Sequence, residues 1–157
     1  SSDGTRIVGG TLDGTVHVWD AATGRKIMSF DGRHADHVIC VAFSPDDQRI
    51  VSGGGDKVLK IWDATTGKEL VTLRGHTGRV MDVDFSPDGN QIASCANAGS
   101  ERTVGVKVWD AESGREEFTL IPRAIGLTTV GFSPKGSWVA AGSFDTNVYL
   151  WNLKGGE

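Results

Sequence analysis

A tryptophan followed by a short polar residue returns four times along the chain, as Trp19-Asp20, Trp62-Asp63, Trp109-Asp110 and Trp151-Asn152, at intervals of 43, 47 and 42 residues. No other feature limits the fold as tightly. A second marker, Phe-Ser-Pro followed by Asp or Lys, recurs at Phe43, Phe85 and Phe132 with intervals of 42 and 47. Two markers that share one long interval mean a supersecondary unit repeated and stacked, because one such unit cannot bury an apolar face alone. From each Phe to the next Trp the distances are 19, 24 and 19 residues, so five extra residues sit in the third unit. Their expected place is a hairpin tip between Ala96 and Thr103.

The units read as strands. Val38 to Phe43, Val80 to Phe85 and Leu127 to Phe132 are rich in Val and Phe and end at Ser-Pro, which stops a strand. A second run follows at Ile50, Ile92 and Val139, a third closes on the Trp, and a fourth covers 26–30, 69–73 and 117–120. Composition agrees: 22 glycines in 157 residues leave no Gly- or Pro-free stretch longer than 12, too short for a membrane span or a long helix. Four strands per unit of about 40 to 45 residues is the arithmetic of a propeller blade. The count along the chain is three, four, four and three strands.

Charge and cysteine narrow the chemistry. Sixteen Lys and Arg against 20 Asp and Glu, scattered and without a basic arm, lack the footprint of phosphate-backbone binding. Nucleic acid and membrane are therefore not expected partners. Cys40 and Cys95 lie inside apolar strand runs, where a thiol serves as a small hydrophobe, and no paired Cys spacing points to metal or redox use. Neither a signal segment nor an Asn-x-Ser/Thr acceptor is present in the sequence, which leans toward a cytoplasmic setting.

Gly75-His76, the six-residue step from Asp56 to Trp62 and the Trp-Asp ends together resemble WD-repeat β-propellers over nearly the whole chain. The resemblance implies an all-β fold of about three and a half four-stranded blades from a larger, seven-bladed ring, which takes about 300 residues at this period. Residues 1–157 then form a partial propeller with units ending near 20, 63, 110 and 152. Both ends are expected to fall inside a repeat, with the rest of a longer chain completing the ring.

The resemblance also assigns the recurring polar residues. In the second unit His34, Ser52, Asp56 and Trp62 match the family's internal hydrogen-bonded set, in which Asp accepts from His, the hydroxyl bridges and the indole N–H is satisfied. The first unit keeps Asp13 and Trp19 with Gly9 at the hydroxyl position. The third keeps His76, Ser94 and Trp109, with its Asp absent or replaced by Glu101 or Asn97. The fourth keeps Asp145 and Trp151, with Arg123 and Ala141 where His and Ser are expected. Only the second unit carries the whole set. Ser52, His34 and Asp56 also have the composition of a hydrolase triad, yet no nucleophile elbow accompanies them and the same residue types recur at blade spacing.

Other groupings carry less. His34-Ala35-Asp36-His37 lacks a third and fourth metal ligand, and Gly53-Gly54-Gly55 has no following Lys-Ser or Lys-Thr for phosphate. No metal or cofactor is implied. Asp82 and Asp84, two apart on a strand, share a face and are expected to be a solvated pair rather than a glycosidase pair. By the resemblance, a protein or peptide would bind on the face that holds the loop after the family His and the turn at the family Asp. Leu12, His37, Thr77, Arg79, Arg102 and Phe144 fall there, Leu12 and Phe144 as apolar anchors and the arginines as charged contacts. Trp138 takes the position of Arg6, Arg49 and Gln91, and marks either a contact on the opposite rim or a cover for a neighbouring blade edge. The reading is a non-catalytic interaction scaffold; the alternatives are a propeller enzyme with a central-channel site and a passive spacer.

Overall fold

The computed structural model describes residues 1–30, 32–97, 105–122 and 126–153. Fourteen strands and no helix lie in these segments. They form four antiparallel meanders: β1 (Arg6–Gly10), β2 (Val16–Asp20) and β3 (Lys26–Ser29); β4 (Val38–Phe43), β5 (Arg49–Gly54), β6 (Val58–Asp63) and β7 (Glu69–Arg74); β8 (Arg79–Phe85), β9 (Gln91–Asn97), β10 (Val106–Asp110) and β11 (Glu116–Leu120); β12 (Leu127–Phe132), β13 (Trp138–Ser143) and β14 (Val148–Asn152). The sheets hold three, four, four and three strands.

The sheets stack face to face in chain order, and contact between neighbours concentrates at the strands β4, β8 and β12. They fan outward from that side. Because successive side chains of a strand point to opposite faces, an inner sheet must be apolar on both. Ile50 and Trp62 therefore pack back against Val16, Val18 and Phe30, while their neighbours Val51 and Ile61 pack forward against Val83, Phe85 and Trp109. Ala93, Cys95 and Val106 meet Leu127, Val130 and Val139 in the third interface. The outer faces differ: Val148 and Leu150 are 69% and 63% exposed, whereas Leu59 and Ile61 at the same repeat positions are buried.

Register places the extra residues of the third unit. Gly53 pairs with Leu59 across one hairpin and Cys95 with Val106 across its counterpart, six and eleven residues apart in sequence. The extra residues thus fall between Cys95 and Val106, and of these, residues 98–104 lie outside the described residues. At the opposite end of the strands each turn needs one left-handed residue, supplied by Gly89 and Gly136 after Ser-Pro and by Gly4 after Ser1-Ser2, but by Asp47 (φ 58°) in the second sheet. Asp47 is held there by Ser2, whose N–H and Oγ donate to its carboxylate at 2.9 and 2.6 Å.

Arginines close two of the three wedges at that end. The Arg6 guanidinium stands 5.0 Å from the Phe43 ring centre and donates to the carbonyls of Asp47 and Ala64 at 2.9 and 3.3 Å. Arg49 repeats this on the next sheet: 5.5 Å from Phe85, with the Gly89 and Ala111 carbonyls accepting at 2.7 and 3.2 Å. Each side chain crosses from one sheet to its neighbour.

Candidate functional site

The second sheet brings His34, Ser52, Asp56 and Trp62 together. His34 Nδ1 lies 2.9 Å from Asp56 Oδ1, His34 Nε2 lies 2.7 Å from Ser52 Oγ, and the Trp62 indole N–H donates to the same Oγ at 2.8 Å. Burial pushes the His34 imidazole below its ordinary value, against the pull of the Asp56 carboxylate. A neutral ring fixes every direction: Nδ1–H donates to Asp56, Nε2 accepts the Ser52 O–H, and the freed lone pair of Ser52 takes the indole N–H. The Ala35 N–H donates to Asp56 Oδ2 at 2.9 Å, so the loop before β4, the β5–β6 turn and two strands are tied into one chain of bonds.

Serine, imidazole and carboxylate here stand in the order of a hydrolase triad. Their setting is different. Ser52 and Trp62 are 0% exposed, and the Ser52 oxygen that would attack a carbonyl is covered by the indole that donates to it. A cavity of about 500 Å³ lies elsewhere, at the Ser-Pro end of the third wedge.

The other sheets hold parts of the set and fill the gaps differently. In the third, His76 Nε2 lies 2.6 Å from Ser94 Oγ and Trp109 donates to that oxygen at 2.8 Å. Among the described residues no carboxylate reaches His76 Nδ1, and burial lowers this histidine to about 4. Glu101, one of the two expected replacements, lies outside the described residues; the Asn97 amide lies against Gly126. In the first, the Trp19 ring rests on Gly9, where a side chain would clash, and Asp13 accepts instead from the Thr15 hydroxyl at 2.8 Å and from Thr11. Those hydroxyls hold Asp13 at about 2.

Sequence reasoning missed the substitute in the fourth sheet. Tyr149 pairs across from Ala141, stacks on Trp151 at 6.2 Å and donates its O–H to Asp145 at 2.8 Å. A phenol stacked on the tryptophan thus bonds the turn Asp, where Ser52 and His34 make the connection in the second sheet. The signal was present as a lone tyrosine at the position of Lys60 and Lys107, with alanine opposite.

Asp82 and Asp84 correct an expectation. They are not a solvated pair: Asp82 Oδ2 accepts from the Thr129 hydroxyl at 2.7 Å and the Val130 N–H at 2.9 Å, and Asp84 Oδ2 accepts from the Phe132 N–H at 2.8 Å. Val130 and Phe132 lie on the unpaired edge of β12, so carboxylates two residues apart match N–H groups two residues apart on the neighbouring sheet. Burial, with the Asp82 charge adding to it, raises Asp84 against the lowering effect of the Phe132 N–H.

The expected contact residues fall at both ends of the strands. Leu12 and Phe144 are 88% and 64% exposed, each one residue before a turn Asp; Thr77 and Arg79 are exposed at the same end. His37 is half-buried, with Nδ1 2.6 Å from Asp36 Oδ1, and the hydrogen bonds from the His37 N–H and ring hold Asp36 below its usual range, with the Arg79 charge adding the least. Arg102 lies outside the described residues. Trp138 is 44% exposed and sits at the opposite end, on the face shared with Leu150. Cys40 and Cys95 are free thiols whose burial raises them, Cys95 to about 12, which removes nucleophilic thiolate at neutral pH.

Radially stacked four-stranded meanders with a buried Trp-linked hydrogen-bond chain define a β-propeller built from WD repeats. The family model described as IFT122 first beta-propeller matches residues 1–157, and the chain belongs to the WD-repeat β-propeller family. It is 44% identical over 45 residues to WD repeat-containing protein 82 of Drosophila melanogaster, a match covering 29% of this chain and 14% of that protein. It is 52% identical over 85 residues to WD40 repeat-containing protein HOS15 of Arabidopsis thaliana, covering 54% of this chain and 14% of that protein. Among solved structures, the computationally designed Ika4 protein superposes with a TM-score of 0.79 at 32% identity, covering 95% of this chain and 86% of that one. WD-repeat propellers generally mediate protein–protein interaction and are typically non-catalytic.

Proposed function

We propose that this chain is a non-catalytic recognition platform that binds a protein or peptide on the turn end bearing Leu12, His37, Thr77, Arg79 and Phe144. One contrast carries the reading. The Ser52 and Ser94 hydroxyls are consumed in buried internal bonds, while Leu12 and Phe144 present apolar surface on turns between paired strands. The exposed outer faces support a second element of the proposal. Val148 and Leu150 occupy positions that an adjoining sheet covers in the inner blades, so further WD repeats packed there would complete a ring.

The test is affinity capture with the wild-type chain and with Leu12→Asp, Arg79→Asp and Phe144→Asp, each checked for wild-type circular dichroism. A partner retained by wild type and by Trp138→Asp, and lost from the three turn variants, supports the platform. Capture that none of the three alters would overturn it.

A further inference from the structure

The repeat leaves one wedge open. At the first and second wedges Arg6 and Arg49 cross to the next sheet, cover a Phe ring and donate to two carbonyls. The residue at this position in the third sheet is Gln91. Its amide does not cross; it donates to Glu117 Oε2 at 2.6 Å, on its own sheet. By repeat position the arginine's partners correspond to Phe132 and to the carbonyls of Gly136 and Leu153; the aromatic residue that lines the opening is Phe118. Among the described residues no side chain donates to either carbonyl. A cavity of about 500 Å³ opens at this place, lined by Pro87, Asp88, Gln91, Lys135, Gly136 and Leu153 among others.

We infer that this cleft binds an arginine side chain presented by a partner peptide, the guanidinium taking the place that Arg6 and Arg49 fill in the other wedges. The chemistry follows from what the fold already does twice. A planar fork of N–H donors satisfies two divergent carbonyls while its face lies on an aromatic ring, which an ammonium cannot do at once. Asp88 is the one carboxylate among the lining residues, beside the Gly136 and Leu153 carbonyls; Glu117 lies behind Gln91 and holds its amide. Lys135, exposed, is the one cation among the lining residues and opposes the ligand. The cleft lies at the end of the strands opposite Leu12 and Phe144, so this binding neither requires nor replaces the platform proposed above.

The 157-residue chain, titrated with acetyl-Gly-Arg-Gly-amide and followed by amide NMR, tests the assignment; the lysine and citrulline peptides are the comparators. The expected result is saturable shifts confined to residues 86–91, 134–138 and 153, with the arginine peptide tighter by at least about fivefold. Gln91→Arg, which installs the side chain of the sister wedges, is expected to abolish the shifts and raise Tm. Lys135→Glu, at an exposed position, is expected to tighten binding by about twofold or more. Equal affinity for the three peptides, shifts elsewhere, undiminished binding by folded Gln91→Arg, or no gain in Lys135→Glu would each overturn it.

Discussion

The second and fourth sheets carry the same Asp and Trp positions and connect them by different means. In the second, Trp62 is fully enclosed and its N–H begins a chain that ends on Asp56 through Ser52 and His34. In the fourth, Trp151 is half-buried and the link to Asp145 is a stacked Tyr149. The difference follows from burial. A sheet covered on both faces must satisfy every polar atom internally, because an unpaired donor there costs its full desolvation. In the fourth sheet Trp151 and Tyr149 lie on the face packed against the third sheet, opposite the exposed Val148 and Leu150, yet Trp151 is only half-buried there and a simpler link suffices.

The comparison breaks most readily at the tryptophans. Trp62→Ala is expected to cost about 3 to 5 kcal/mol in urea unfolding, as for other buried large-to-small changes, and Trp151→Ala clearly less. Equal midpoint shifts would mean that enclosure does not distinguish the sheets. Acid is the next lever. His76, at about 4 in the folded chain against 6.5 unfolded, takes up its proton in the unfolded state first. Stability is therefore complete above pH 6.5 and falls as pH drops toward 4, by about 3 kcal/mol at pH 4 from this residue. His76→Gln is expected to flatten the urea midpoint across that window. Asp84 acts with the opposite sign: its raised value makes its contribution present in acid and lost as pH rises through the folded pKa.

Smaller effects sharpen the contrast. Asp56→Ala leaves the His34 Nδ1–H and the Ala35 N–H without their acceptor and is expected to cost about 2 kcal/mol, with a smaller midpoint shift for Asp145→Ala, whose partners face water. Arg49→Ala, which opens a closed wedge, is expected to cost about 1 kcal/mol, while Gln91→Ala at the already open one leaves the midpoint near wild type. Urea midpoints of the four variants in one buffer decide both comparisons.

Much of the fold was legible because the period is. Repeated Trp and Phe-Ser-Pro markers count the strands, and the intervals place the insertion. What stayed hidden depends on neighbours. Whether Asp82 and Asp84 meet solvent is decided by the unpaired edge of β12 some 45 residues away, which no local pattern displays. Tyr149 was unread because the repeat template has no phenol, and its bond to Asp145 and stacking on Trp151 appear only in three dimensions. The third wedge was half visible: the sequence showed Gln91 in an arginine's position but not that the arginines cross between sheets.

Nitrogen NMR of the His34 ring tests the central claim most directly, because internal wiring demands one protonation state and one tautomer. The account predicts a neutral ring at pH 8, with the proton on Nδ1 and Nε2 accepting from Ser52. A His34 that titrates at or above 6.5, or that carries its neutral proton on Nε2, would contradict it.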